Sequence, residues 1–142
     1  MSTLKVTNVK HETSGLNTLV FDNGGTSGGN GRVTTKGTIG EVITVSYAST
    51  ITLDFRTANN FSTTLTGNVT FANPSNLAAG QSGILFVLQD GTGGRTAAFG
   101  SYWDFSDGTA PTLSTGVNAV VMIAWVARSA NKISAQFVGN FS

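Results

Sequence analysis

The sequence predicts an all-β fold, a β-sandwich or jelly-roll-like module preceded by an extended, Gly-rich N-terminal arm. Three observations predict it. Apolar and polar residues alternate along most of the chain, no stretch keeps the i, i+3, i+4, i+7 spacing of an amphipathic helix, and short alternating segments are parted by Gly and Asn turns about every 8–12 residues. At 142 residues one domain is the natural count. The organisation read from composition is an arm over residues 1–37 and a β-sandwich module over 38–142.

The elements follow in order. Leu4 and Val6 alternate with Thr3, Lys5 and Thr7 in a first short strand, and Leu16 to Asp22 forms a second that ends on the turn pair Asn23-Gly24. Residues 23–31 then hold five glycines, a composition with high chain entropy and nothing to bury, which predicts a flexible joint. Glu41 to Tyr47 and Ile51 to Phe55 are strands, the latter with Ile51, Leu53 and Phe55 on one face. Phe61 to Phe71, interrupted by Gly67-Asn68, reads as a hairpin, and Pro74 closes it. Gly83 to Gln89 is apolar on both faces, as in a central strand, and ends at Asp90-Gly91. A hairpin loop then leads to Thr96 to Phe99. Ala119 to Ala127 is a second central strand, and Lys132 to Val138, with Ile133, Ala135 and Phe137 on one face, is the last. No internal repeat is visible.

Composition excludes several function classes. Charged residues are 11% of the chain and the net charge is +1, against about 25% charged in ordinary soluble proteins. A nucleic-acid binder needs a basic face to release counterions, and none is present. With no Cys and one His, thiolate and His-cluster metal sites are absent, so no metal or cofactor is expected. Ala119 to Ala127, the longest apolar run, is far below the roughly 20 residues of a membrane-spanning helix, and the polar N-terminus lacks the apolar core of a secretory signal. No membrane partner is expected. The sequons at Asn60, Asn68 and Asn140 are therefore chance occurrences in a Ser/Thr-rich chain.

No catalytic constellation emerges. The acids are Glu12, Asp22, Glu41, Asp54, Asp90, Asp104 and Asp107, and none forms a recognisable pair for general acid/base work. His11 beside Glu12 has no nucleophile elbow to serve. Gly91-Thr-Gly-Gly94 before Arg95 lacks the Gly-Lys-Ser/Thr ending of a phosphate loop. The candidate contact residues are Tyr102, Trp103, Asp104 and Phe105, the densest aromatic cluster. Aromatic planes beside an acid can stack and hydrogen-bond a glycan, whereas the plainer reading makes them core or subunit-interface aromatics.

Gly67-Asn-Val-Thr-Phe-Ala-Asn-Pro74, Leu77-Ala-Ala-Gly-Gln-Ser-Gly83, Gln89-Asp-Gly-Thr-Gly-Gly-Arg-Thr96, Phe105-Ser-Asp-Gly-Thr-Ala-Pro-Thr-Leu113 and Lys132-Ile-Ser-Ala together resemble a β module recurrent in tailed-bacteriophage virion proteins. In many of those it is the C-terminal module of a tail fibre or of another surface protein. Met1-Ser-Thr-Leu-Lys-Val-Thr-Asn-Val resembles the start of marine and cyanophage appendage proteins. The resemblance implies a non-enzymatic assembly protein, made in the host bacterial cytoplasm and carried on the virion, and it brings no catalytic residues.

The short chain, without a shaft, favours a capsid decoration or cement protein that binds and stabilises the assembled shell by mass action. Its partner would be the major capsid protein or another virion protein. Leu4, Val6 and Val9 would attach the arm to a neighbour by strand addition, and a homotrimer would suit a three-fold shell position. The alternative is a short tail-fibre or receptor-binding tip, with Tyr102 to Phe105 and the loop at 91–94 touching host glycan.

Overall fold

The computed structural model describes residues 40–141. The arm contacts expected at Leu4, Val6 and Val9, the joint at 23–31 and the strand from Leu16 to Asp22 lie outside the described residues. Nine strands and one 3-10 turn follow in order: β1 Val42–Thr44, β2 Thr50–Ile51, β3 Asn60–Leu65, β4 Val69–Phe71, β5 Ser82–Gln89, β6 Ala97–Phe99, β7 Trp103–Phe105, the turn Ser106–Gly108, β8 Val120–Ser129 and β9 Lys132–Asn140. They form a six-stranded sheet, β1-β3-β5-β8-β9-β7, and a three-stranded sheet, β2-β4-β6. The fold is all-β, as the alternation predicts.

Connectivity departs from the predicted jelly roll. From β1 to β6 the chain passes alternately from the large sheet to the small one, so each strand returns in the direction of the strand it joins. β1/β3/β5 and β2/β4/β6 are therefore all parallel, whereas a jelly roll is built from antiparallel Greek keys. The result is a winding coil. Only β8 and β9 form an antiparallel ribbon, added to β5, and β7 closes the large sheet by pairing parallel to β9.

The two predicted hairpins are corrected by the same feature. Phe61 and Phe71 lie on β3 and β4, in different sheets, and the segment ending at Gln89 is likewise in the other sheet from Ala97–Phe99. Thr66-Gly67-Asn68 and residues 90–96 turn the chain across the core instead of back along the same sheet. Ile51, Leu53 and Phe55 do share the inner face, 2–3% exposed. Regular pairing there stops at Ile51, and Asp54 adds one isolated parallel bridge to Ser75.

Period-two alternation places the core. Phe61, Thr63 and Leu65 of β3 and Leu85, Val87 and Gln89 of β5 point inward and are at most 4% exposed, while Ile84, Phe86 and Leu88 face outward and are half-buried. The inner amide of Gln89 is fully engaged: it donates to the carbonyls of Arg95 (2.8 Å) and Ser114 (3.0 Å) and accepts the Arg95 N–H (2.9 Å). A buried amide is tolerated only when so paired.

Aromatic rings join the coil to the ribbon. Phe55 stacks on Phe61 at 5.5 Å and on Trp125 at 4.3 Å, and meets the edge of Trp103 at 6.4 Å. Gly83 makes this approach possible, because a Cβ there would collide with the Asn59 carbonyl and press the Trp125 ring at 3.0 Å.

Phe71 is 0% exposed, so Phe71→Ala removes a ring the core cannot refill and should destabilise by about 3–5 kcal/mol. Val126→Ala, at a residue 43% exposed, should cost under about 1 kcal/mol. Gly83→Ala should be more disruptive than its single methyl suggests, since backbone opposes it. Urea unfolding of the three variants measures the ranking, and equal midpoints for Phe71→Ala and Val126→Ala would contradict the assigned core.

Candidate functional site

The predicted cluster Tyr102–Phe105 falls at and just before β7, the edge strand of the large sheet. Its entry turn is tightly held. Gly100 passes so close to Asn73 that a Cβ would sit 2.8 Å from the Asn73 nitrogen. The Asn73 amide accepts the Tyr102 N–H (2.8 Å) and donates to the Ser101 hydroxyl (3.2 Å). The Tyr102 carbonyl in turn accepts the Ile133 N–H (2.8 Å), which seats β7 against β9.

The four residues separate by the alternation of β7. Trp103 points inward, 6% exposed, and its indole N–H donates to the Ala72 carbonyl at 3.2 Å. Phe105 is half-buried and packs edge-on against Phe99 at 4.8 Å. Tyr102 is also half-buried. Asp104 faces the surface, where its carboxylate takes the Arg128 guanidinium on one oxygen and Lys132 Nζ on the other, the latter at 3.1 Å. Lys132 also donates to the Ser101 carbonyl at 3.0 Å.

This ion cluster borders an open cleft of about 990 Å³. Its wall combines the hydroxyls and amide of Ser101, Ser106, Ser134 and Gln136 with the aromatic edges of Trp103 and Phe105. Two cations face one carboxylate, so the rim carries a positive balance. Such a surface can hydrogen-bond a hydroxylated ligand along its length and attract an anionic group on it. Arg128, Lys132, Ser134 and Gln136 were not singled out from sequence. The one signal for Arg128 is its parity on β8, opposite to inward Ala127, and only the β7-β9-β8 order brings it to Asp104.

Asp54 and Asp90 are held by local hydrogen bonds. Asp54 accepts the Arg56 N–H (3.0 Å) and the Asn76 amide (2.7 Å). Asp90 accepts the N–H groups of Thr92 (3.0 Å) and Gly93 (2.8 Å) on one oxygen and pairs with Arg95 (2.9 Å) on the other. The Gly-rich loop at 91–94 is thus a clamped turn. Gly93 has φ +70°, and a Cβ there would press the Thr115 carbonyl at 2.6 Å. Asp107 takes a left-handed φ of 58° in the turn after β7. Among the described residues no group of three His, Cys, Asp or Glu is placed to hold a metal ion.

A family model described as a putative phage tail fibre C-terminal domain matches residues 33–128. No curated protein and no solved structure matches.

The hydrogen bonds of Arg95 and Gly93 to Asp90, and of Asn76 and Arg56 to Asp54, hold both carboxyls below their ordinary value of 3.8. A depressed folded value means that each contributes stability above the unfolded value and loses it as pH falls through the folded one. The melting temperature should therefore decline below about pH 4, and Asp90→Asn should flatten part of that decline. Thermal melts of both proteins from neutral to acid pH test this; parallel curves would show that Asp90 is not a source of the acid sensitivity.

Proposed function

The chain belongs to the phage tail fibre C-terminal domain family, and from that membership we propose that this phage structural protein forms the receptor-contacting end of a tail fibre and binds host-surface glycan in the cleft beside β7. The single observation that carries the reading is the cleft itself. Asp104 and Arg128 line it and supply charge-assisted hydrogen bonds there, Lys132 adds a second cation on the far oxygen of Asp104, and Ser106, Ser134 and Gln136 add neutral donors and acceptors. Trp103 supports this surface from beneath through its bond to Ala72, while Asp104 and the half-buried ring of Phe105 are the parts of the cluster that meet a ligand; Tyr102 does not line the cleft.

The positive balance favours glycans carrying carboxylate or phosphate groups. Membership of a fibre family favours this reading over shell decoration, although both place the protein on the virion. Homo-oligomerisation, as a trimer about the fibre axis, is part of the same proposal, with closed rotational symmetry.

Immunogold labelling and virion stoichiometry should find a few copies on the tail; labelling over the whole capsid, in numbers near those of the major shell protein, would favour decoration instead. On a glycan array Arg128→Ala with Lys132→Ala should lower binding to anionic glycans by about tenfold or more, the loss of one to two charge-assisted bonds. Undiminished binding by that double variant would remove the cleft from the contact surface.

A further inference from the structure

β9 outruns its neighbour. β7 ends at Phe105, which pairs with Ala135, so from Gln136 onward that side of β9 has no strand beside it among the described residues. Phe137 shows the consequence. It stands opposite Ile123 on the face that turns inward; Ile123 and Ala135 are 0% and 5% exposed, yet Phe137 is 36% exposed. Phe55, Phe71, Phe99 and Phe105 all pack ring to ring, whereas Phe137 meets no other ring among the described residues. A single exposed ring is ordinary on a protein surface. What sets this one apart is the recess it lines.

The chain after β7 turns alongside the bare stretch of β9, through Asp107 and Gly108 with left-handed φ of 58° and 68°. A recess of about 230 Å³ lies between them, with Phe105, Pro111 and Phe137 as its apolar wall and Ser106, Thr109 and Gln136 as its polar one. That is the volume of several water molecules, room for one sugar ring and not for a chain. Phe105, Ser106 and Gln136 also line the large cleft, so the two adjoin. Gln136 is exposed at the junction, and its amide makes no hydrogen bond to another described residue.

Charge lies at the other end. Arg128 and Lys132 both pair with Asp104, and Phe137 is five residues along β9 from Lys132, about 16 Å at strand spacing. An anionic group held by those cations does not reach the recess. What fills the recess is a neighbouring, uncharged part of the same ligand.

Resting on the reading of the cleft as a glycan site, we propose that the recess is a second subsite, which takes the adjacent uncharged sugar of the same chain with its apolar face on Phe137. Its hydroxyls meet Ser106, Thr109 and Gln136, the pattern of an apolar wall with a few polar groups that fix orientation. The ligand is then an oligosaccharide, anionic at Arg128 and neutral at Phe137, and a single sugar fills only part of the site. The two halves also differ in kind: salt screens the attraction of the exposed cations, whereas it leaves apolar contact with the ring in place.

Glycan-array binding and calorimetry on the full chain test this, with carboxylated and phosphorylated glycans of graded length as probes. The wild type should bind the best oligosaccharide at least about tenfold more tightly than its isolated anionic sugar. Phe137→Ala should remove that gain, Phe137→Trp should keep it, and the gain should persist as salt rises. Arg128→Ala with Lys132→Ala should weaken binding of long and short probes alike. Equal affinity for long and short probes, or a gain that survives Phe137→Ala, would overturn the second subsite and leave the cleft standing; no binding to any anionic probe would overturn both. A contact with a second copy is the competing use of Phe137, and sedimentation that shifts to smaller species in Phe137→Ala would assign the recess to it instead. If Phe137→Ala does not fold, Phe137→Leu keeps the apolar bulk without the ring and should show the same loss.

Discussion

Everything else in the described fold hangs on β5, which must satisfy two kinds of neighbour at once. On one side it continues the parallel ladder of β3, and on the other it receives β8 antiparallel. Its backbone is therefore committed along both edges, as in any interior strand. The inner residues Leu85 and Val87 close the coil, and Gly83 lets the Asn59 carbonyl and the Trp125 ring approach the same point. Without that glycine the ribbon could not bring Trp125 onto Phe55. Without the ribbon, β9 would offer no edge for β7, and the cleft would have no wall.

Two-residue alternation made the strands and their inward faces legible in the sequence. Ile51, Leu53 and Phe55, the β8 positions from Val121 to Ala127, and Ile133 with Ala135 are all buried on the faces their parity indicates. Winding was not legible, for a physical reason. Stacked residues are 18 apart from Val42 to Asn60, 20 from Thr50 to Thr70, 24 from Asn60 to Ile84 and 28 from Val69 to Ala97. Turns of unequal length erase any fixed period, so no repeat shows even though the backbone repeats. Turn dipeptides such as Gly67-Asn68 mark a reversal locally but do not say whether the next strand returns beside the last or crosses to the opposite sheet.

The site was legible by half. Tyr102 to Phe105 stood out by density of aromatics, and the structure divides them, Trp103 to the core and Asp104 to the surface. Arg128 and Lys132 were hidden because their meaning depends on topology: residues 24 and 28 positions from Asp104 become its neighbours only when β9 lies between β7 and β8. A lone Arg at the end of an apolar strand carries no such message by itself.

The two ends of the large sheet then differ in a way that bears on what each can accept. At β7 the edge strand is three residues long and carries Asp104 between two cations. Charge is one of the devices by which an edge refuses another strand, and here it is concentrated on β7. At β1 the edge has Val42 46% exposed and Ile43 half-buried, with Glu41 the nearest charge in the chain. β1 is as short as β7, three residues, so length does not separate the two edges; what β1 lacks is the ion cluster, and it presents apolar residues in its place. The two ends of the large sheet thus differ in chemistry, a charged edge at β7 and an apolar one at β1, because Asp104 with its two cations has no counterpart on Val42 and Ile43.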